Sequence, residues 1–198
     1  MCGRYLVDFD APALRGIIAT LARLGDAPVK AGEVCPSDRA AVLTALGPRA
    51  MRWGFPMEGR RPVINARAET VRELPMFARA LAERRAAVPA RGFYEWRREG
   101  GRIRRKLLFE LPGEEILYLA GMYDDFAAGG QAEPRFVILT TAANESMAAY
   151  HDRMPVLLRQ TEVPLWLSGG AFVAQALGRV PFPLSVRPAD GIEQLRLF

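Results

Sequence analysis

Residues 87–97 read Ala-Val-Pro-Ala-Arg-Gly-Phe-Tyr-Glu-Trp-Arg, and they decide how the rest of the chain is interpreted. From the first of these residues onward, the apolar positions change from helical spacing to a period close to two. A period of two is typical of strands that turn alternate side chains towards a core. Gly100-Gly101 and Pro112-Gly113 then interrupt the pattern as turns do. The sequence predicts a meander of three strands, at 87–97, 103–111 and 116–123.

Helical spacing appears on both sides of this meander. Apolar residues between Ala11 and Leu24 recur every three or four positions, with Asp10 as a predicted N-cap and Pro12 in the first turn. The other predicted elements are strands at 39–46, 49–55, 135–141, 154–159 and 183–187, and helices at 72–85, 162–167, 171–177 and, capped by Asn144, 144–150. Many strands joined by local hairpins favour an α+β fold with a curved, mostly antiparallel, barrel-like sheet and peripheral short helices. We expect residues 1–198 to form a single domain.

Composition and charge limit the classes of function. The net charge is +5 and the sequence pI is about 9.7, which suits a polyanionic partner such as nucleic acid. Only Lys30 and Lys106 are lysines, so nearly all of the basic residues are arginines, although a GC-rich genome would have the same effect. No apolar run is long enough to span a bilayer, and the N-terminus lacks the pattern of a signal peptide. We therefore expect a cytoplasmic protein.

The two cysteines raise a question about the N-terminus. In a reducing compartment, two cysteines argue against a disulfide framework and are too few for a cysteine-only zinc site, so we expect neither a metal nor a cofactor. Cys2 follows Met1 directly. It could be a small apolar residue under a first strand. If the cell removes Met1, Cys2 instead carries a thiol and a free α-amine on adjacent carbons.

Two further residues are candidates for proton transfer. His151 is the one histidine of the chain and lies at a predicted junction between a helix and a strand, where functional sites are often built. Glu95 lies between two aromatic residues in a predicted central strand. If its face of the strand lines a pocket, desolvation would raise its pKa and suit it to general acid/base catalysis. The alternative for Glu95 is an ion pair with an arginine.

Polar and aromatic residues upstream could bind a substrate. Asn65 and Arg67 lie close enough in sequence to orient a polar group and hold a phosphate, although the same residues could form a turn and a helix cap. Trp53 lies beside arginine in a segment that could stack on bases or could belong to the core. The residues alone leave both alternatives open.

Taken in order, several stretches resemble the SOS response-associated peptidase (SRAP) family, which includes proteins that crosslink to abasic sites in single-stranded DNA. The matching stretches are Met1–Tyr5, Arg52–Phe55, Asn65–Thr70, Val88–Trp96, Leu119–Tyr123, Thr140–Asn144 and His151–Pro155. They cover nearly the whole chain in the order of the family, and the ordered set is much more specific than any one stretch.

The resemblance implies a site and a partner. The implied catalytic residues are Cys2 as the nucleophile, exposed by removal of Met1, with Asn65, Glu95 and His151. The implied DNA contacts are Arg4, Trp53, Arg67, Thr140, Arg153 and Met154. The implied activity is a covalent thiazolidine crosslink to abasic sites in single-stranded DNA, as part of the response to DNA damage, by a monomer. Two alternatives stay open: a thiol peptidase or self-processing enzyme that uses Cys2, and a non-catalytic single-strand binder.

Overall fold

The computed structural model describes residues 3–99 and 103–194, and strands dominate it. The strands, numbered along the chain, are Tyr5–Val7 (β1), Gly32–Val34 (β2), Arg39–Thr44 (β3), Gly47–Trp53 (β4), Phe55–Met57 (β5), Arg60–Val63 (β6), Asn65–Arg67 (β7), Arg85–Ala90 (β8), Gly92–Glu99 (β9), Ile103–Glu110 (β10), Leu117–Ala128 (β11), Gln131–Ala142 (β12), Arg153–Pro155 (β13), Leu157–Leu158 (β14) and Ser185–Gln194 (β15). The helices are Pro12–Arg23 (α1), Pro75–Glu83 (α2), Glu145–Ala148 (α3), Val163–Ser168 (α4) and Ala171–Gly178 (α5), with a 3-10 turn at Gln160–Glu162.

Five strands close into a barrel. Their order is β12-β4-β3-β8-β11, and β11 pairs back onto β12. The pairing of β4 with β12 is parallel, and the other pairings around the ring are antiparallel. β7 continues on β12 beyond β4, also in parallel, and β13 pairs with β12 beyond β11. The expected α+β class, with a curved, mostly antiparallel, barrel-like sheet and short helices, is confirmed.

A second sheet carries the predicted central glutamate. Its order is β15-β10-β9-β1-β2, with antiparallel neighbours throughout. The stretch 87–97, predicted as one strand, is two strands in two different sheets, β8 in the barrel and β9 in the second sheet. The chain passes between them at Arg91 and Gly92. A Cβ at Gly92 would lie 2.5 Å from the backbone oxygen of Phe109, so the close approach of the β10 backbone requires glycine here.

Two predicted helix caps differ in the structure. Asp10 is not the N-cap of α1, since Ala11 holds that position without a side-chain bond, and the Asp10 carbonyl instead accepts hydrogen bonds from Arg15. Asn144 is at the N-cap position of α3, but its amide donates to the carbonyls of Pro181 and Phe182 rather than capping the helix. In both places a more distant partner has replaced the expected local bond.

Strand ends also differ from the predictions. The strand expected at 183–187 runs from Ser185 to Gln194, and the hairpin of β11 and β12 continues beyond the core as a long two-stranded arm. The exposed residues of that arm lack the apolar alternation on which the predictions relied. The turn predicted at Gly100 and Gly101 lies outside the described residues, although β9 and β10 pair on either side of it.

An ion-pair cluster joins three strands of the barrel wall. Glu133 on β12 meets Arg39 on β3, Arg52 on β4 and Arg135 at distances of 3.0, 2.8 and 2.6 Å. Burial alone would raise the pKa of Glu133, but the hydrogen bond from Arg52 and the charges of Arg135 and Arg52 outweigh burial. The pKa of Glu133 therefore lies below its ordinary value of 4.5.

Glu133→Gln is expected to lower the free energy of unfolding at neutral pH by about 1–3 kcal/mol, because it leaves three guanidinium groups around an uncharged side chain. A carboxylate whose pKa is lowered by folding stabilises the protein above its unfolded pKa and loses that contribution as the pH falls through its folded pKa. The loss attributable to Glu133 therefore begins below about pH 4.5.

Urea unfolding at pH 7 and in steps below pH 4.5 measures both effects. Glu83→Gln is the matched control, since Glu83 pairs with Arg79 on an exposed helix face. Equal stability of the Glu133 variant and the wild type at pH 7 would contradict a stabilising role for the cluster.

Candidate functional site

Glu95 lies inside the second sheet rather than at its edge. It belongs to β9, which lies between β1 and β10, and it is only 7% exposed. Leu107 is its partner on β10, and the alternation of the strand places Glu95 on the same face as the fully buried Phe93. A carboxyl group is costly in such a position unless polar groups meet it. The burial anticipated from the aromatic flanks of Glu95 is therefore present.

The N-terminal segment reaches Glu95 along β1. This strand runs antiparallel to β9, with Tyr5 opposite Phe93. Continuing that register by two residues places Gly3 opposite Glu95. Cys2 lies outside the described residues, so its place in the site stays a prediction, now supported by the position of the residue bonded to it.

The turn that carries His151 packs over the Glu95 face of the sheet. The ring of Tyr150 meets the ring of Phe109 edge-on, with 5.3 Å between centroids, and the Arg97 guanidinium lies 6.0 Å from the Tyr150 ring centre. Arg97 follows Glu95 by two residues on β9, and Phe109 follows the partner of Glu95 by two residues on β10. The Tyr150 ring therefore packs on the face of the sheet that carries Glu95. His151 is the next residue along the chain.

Two polar groups lie within hydrogen-bonding distance of the His151 Nδ1 atom. Its Nδ1 accepts a hydrogen bond from the Arg153 backbone N–H at 2.9 Å, which requires that nitrogen to be unprotonated. The same Nδ1 lies 2.8 Å from a carboxylate oxygen of Asp152, which would accept a hydrogen bond from that nitrogen in its protonated form. Nδ1 of this half-buried imidazole thus has both a hydrogen-bond donor and a hydrogen-bond acceptor within reach.

β12 brings the other polar candidates together. Thr140 on β12 pairs with Arg67 on β7 at one side and with Pro155 on β13 at the other. Asn65 begins β7, and Arg153 begins β13. Two segments that are far apart in sequence thus flank the same half of one strand, with the fully buried Thr140 between them.

Arg153 is held by a carboxylate. Its two terminal nitrogens lie 2.7 Å from the two oxygens of Glu69, and one of them also donates to the Thr140 carbonyl at 2.6 Å. The hydrogen bond from Arg153 lowers the pKa of Glu69. Arg67 differs from Arg153, because it is exposed and has no ion-pair partner within the described ranges. Of these two predicted phosphate ligands, Arg67 offers the less compensated charge.

Arg4 points away from Glu95. It is adjacent to Tyr5 on β1, so alternation places it on the opposite face of the sheet, where its guanidinium lies 5.2 Å from the Trp96 ring centre. Arg4 also pairs with Glu33 at 2.5 Å, and Lys106 binds the other oxygen of the same carboxylate. Arg4 is therefore partly exposed, but a phosphate that bound its guanidinium would compete with Glu33.

Two residues expected to contact DNA, Trp53 and Met154, have side chains that lie in the core. Trp53 is fully buried, stacks on Phe136 with 6.1 Å between ring centroids, and donates its indole N–H to the Ile64 carbonyl at 2.9 Å. Met154 is also fully buried, and its sulfur accepts the backbone N–H of Asn144. Neither side chain is at the surface, because packing inside the barrel has satisfied both, so no base can stack on Trp53.

Sequence reasoning assigned no role to Glu69, Glu33 or Tyr150. Glu69 belongs to the same short stretch as Asn65, so its spacing was visible, but its pairing with a residue 84 positions away was not. No group of histidine, cysteine, aspartate and glutamate side chains in ranges 3–99 and 103–194 is arranged to hold a metal ion. Within the same ranges, no helix combines the length and apolar character needed to cross a bilayer.

The comparisons of this chain with known proteins agree on one family. Residues 1–185 match the family described as SOS response associated peptidase (SRAP). The chain is 38% identical over 108 residues to the abasic site processing protein YoaM of Bacillus subtilis (strain 168), covering 54% of this chain and 47% of that protein. It is 32% identical over 117 residues to the abasic site processing protein YedK of Escherichia coli (strain K12), covering 58% and 52%. The chain thus spans about half the length of the curated relatives that it matches.

Solved structures share the fold. A protein of Bordetella bronchiseptica superposes with a TM-score of 0.76 at 24% identity, covering 96% of this chain and all of that one. A protein of Bacteroides thetaiotaomicron superposes with a TM-score of 0.75 at 24% identity, covering 94% of this chain and 91% of that one. At this level of identity the similarity concerns the fold alone.

Proposed function

Because this chain belongs to the SOS response associated peptidase family, we propose that it captures abasic sites in single-stranded DNA through a covalent bond to Cys2. Relatives named as abasic site processing proteins support this choice of substrate. The role would be to shield such sites during the response to DNA damage.

One observation carries the proposal. The β1–β9 register, continued by two residues, places Gly3 opposite the buried carboxyl group of Glu95. The half-buried His151 follows the tyrosine that packs on the same face. A terminal cysteine bonded to a residue opposite a buried acid suits chemistry of the terminal amine, whereas a purely structural first strand would not need that acid.

The first step would use the α-amine of Cys2 after removal of Met1. An open-chain abasic deoxyribose presents an aldehyde at C1′. An α-amine with a pKa of about 7.7–8.0 is partly unprotonated at neutral pH and attacks that carbon to form a carbinolamine. Loss of one water from the carbinolamine gives the imine, and the hydroxyl leaves with a proton supplied by the site.

The second step would use the thiol of the same residue. With an ordinary pKa of about 8.5, a fraction of the thiol is thiolate, which adds to the imine carbon. The imine nitrogen takes up the proton, and a five-membered thiazolidine closes. The product is one water lighter than protein plus DNA, and no oxidant or cofactor is consumed. An internal cysteine lacks the adjacent amine and cannot form this ring.

The neighbouring side chains fit the proton transfers. Glu95 would donate and accept the proton during loss of the carbinolamine hydroxyl, since it lies opposite the residue bonded to Cys2. His151 would protonate the sugar ring oxygen during ring opening, because its ring can hold or release a proton. Asn65 would orient the amine by a hydrogen bond, and Arg67 would hold a backbone phosphate beside it.

Incubation of the purified protein with single-stranded DNA that carries one abasic site tests the proposal. A denaturing gel and an intact mass should show a covalent species without Met1, at the mass of protein plus DNA minus one water. A protein confirmed to begin at Cys2 that forms no such species would contradict the proposal. Cleavage of peptides under the same conditions would then favour a thiol peptidase, and reversible DNA binding alone would favour a non-catalytic binder.

A further inference from the structure

The arginines that the structure describes differ in whether a carboxylate lies within pairing distance. Those around the barrel wall are paired with carboxylates: Arg39, Arg52 and Arg135 with Glu133, Arg84 with Asp124, and Arg49 with Asp125. Arg15, Arg23, Arg85 and Arg97 have no carboxylate within pairing distance in the described part of the chain; they bind backbone carbonyls or the Thr20 hydroxyl or, for Arg97, lie near an aromatic ring. The same lack of a carboxylate is shared by four arginines that lie close together in sequence, between residues 60 and 72: Arg60, Arg61, Arg67 and Arg72. All four are exposed. We call these four residues the arginine band.

The band begins on a rigid arm. β5 and β6 form a two-stranded hairpin, in which Met57 pairs with Arg60. Its base is fixed by the fully buried Phe55, whose ring lies 4.9 Å from that of Phe126 and 6.1 Å from that of Phe77. The hairpin therefore displays its arginines on a preorganised support, and less ordering would be needed on binding.

Close packing also fixes where the hairpin leaves the barrel. Gly54 has φ = 112°, and a Cβ there would lie 2.9 Å from the Cβ of Pro62. Its N–H donates to the Phe136 carbonyl on β12 at 2.8 Å. The Ile64 carbonyl, at the other end of the hairpin, accepts the N–H of Ile138 on the same strand at 3.1 Å. The arm thus leaves β12 directly before Asn65.

The rest of the band continues past the candidate site. Arg67 pairs with Thr140, and the backbone N–H of the next residue, Ala68, donates to the Thr140 carbonyl at 2.8 Å. Val71 is fully buried, which anchors the turn before Arg72. Arg72 then lines a cavity of about 280 Å³ beside α2 and α5. The four charges therefore follow one fixed segment that passes the site in its middle.

We propose that the arginine band is the track for the DNA backbone on both sides of the captured nucleotide, with the hairpin on one flank and Arg72 on the other. This inference rests on the proposed function, because the captured nucleotide sets the centre of the track. Exposed like charges without counter-charges repel one another, and a polyanion relieves that repulsion. Arg67 follows Arg61 by six positions, roughly 20 Å if extended, which matches about six stacked nucleotides of one strand.

If the arginine band binds the DNA backbone in this way, its two ends should contact the DNA on opposite sides of the abasic site, one on the 5′ side and the other on the 3′ side. The test uses oligonucleotides with a central abasic site, extended by about six nucleotides on the 5′ side only, on the 3′ side only, or on neither side. Arg60→Gln/Arg61→Gln is expected to weaken binding roughly ten-fold for one of the two extended oligonucleotides and to reduce its salt slope by about 1.4, the value for two phosphates on a single strand. Arg72→Gln is expected to act on the other oligonucleotide, with a slope change of about 0.7.

The control and the readouts keep the two proposals separate. Arg79→Gln removes an exposed arginine that is paired with Glu83 and should change neither slope. The unextended oligonucleotide should be crosslinked by both band variants at the wild-type rate, since the band acts on flanks.

Equal losses on both flanks, no loss on either, or the same loss in the Arg79 variant would overturn the track. Failure of the wild type to form any crosslink would count against the proposed function instead. In that case the same slopes, measured on undamaged single strands, still decide whether the band binds a nucleic-acid backbone.

Discussion

Cys2→Ser is expected to abolish the thiazolidine crosslink to abasic DNA while leaving non-covalent binding of single strands unchanged. A hydroxyl is a far weaker nucleophile than a thiolate at neutral pH, so the imine would form but would not close to a stable ring. Imines hydrolyse in water, so no covalent species should survive a denaturing gel. Cys2→Ala should behave in the same way.

Cys35→Ser is the matched control for the thiol. Burial is the main cause that raises the pKa of the Cys35 thiol, so this thiol is protonated at neutral pH. Cys35 is also an internal residue, so it has no adjacent free amine. The variant should keep full crosslinking. A second control extends the N-terminus by a few residues so that the α-amine is no longer on Cys2, and this protein should bind DNA without crosslinking. Full activity of either the Cys2→Ser variant or the extended protein would contradict the aminothiol mechanism.

Glu95→Gln is expected to slow crosslink formation by about 10²- to 10⁴-fold, the usual contribution of a positioned general acid or base. The amide fills the same space but cannot donate and accept the proton that leaves with the carbinolamine hydroxyl. Since the Glu95 side chain is buried, the dissociation constant for DNA should change little. Single-turnover crosslinking rates, measured beside binding isotherms, separate the two quantities.

A structural role for Glu95 would give a different pattern. If the carboxyl group only satisfies buried partners, the variant should lose thermal stability and DNA affinity together, with little change in the rate at saturating DNA. The amount of folded protein, measured by the unfolding midpoint, distinguishes the two cases. Glu83→Gln, on an exposed face of α2, is the control for a change of one charge.

Local patterns were sufficient for most of the secondary structure. The period of two after Ala87 identified strands, and the helical spacing between Ala11 and Leu24 identified α1 to within one residue at each end. These patterns succeed because neighbouring side chains alone decide which face is apolar. The same kind of information identified Glu95 and His151 as unusual, since a charged residue between aromatics and a lone imidazole at a junction are visible without any partner.

Where those elements meet depends on contacts between residues that are distant in sequence. The step at Gly92 that sends β8 and β9 into different sheets depends on the β10 backbone 2.5 Å from where a Cβ would lie, and no local pattern contains that contact. Burial of Trp53 follows from closure of the barrel around it, whereas its sequence neighbours, an arginine and a glycine, left both a core and a stacking position open.

The charged residues show the same difference between what local sequence predicts and what long-range contacts decide. The composition shows that the chain is basic and rich in arginine, but a guanidinium is neutralised by whichever carboxylate folding brings within about 4 Å. Glu69 reaches Arg153 across 84 residues, and Glu33 reaches Arg4 across 29. The arginine band keeps its charge because no carboxylate in the described structure comes within pairing distance of it. Which arginines remain available to a phosphate was therefore decided by long-range pairing, which depends on topology and not on local sequence.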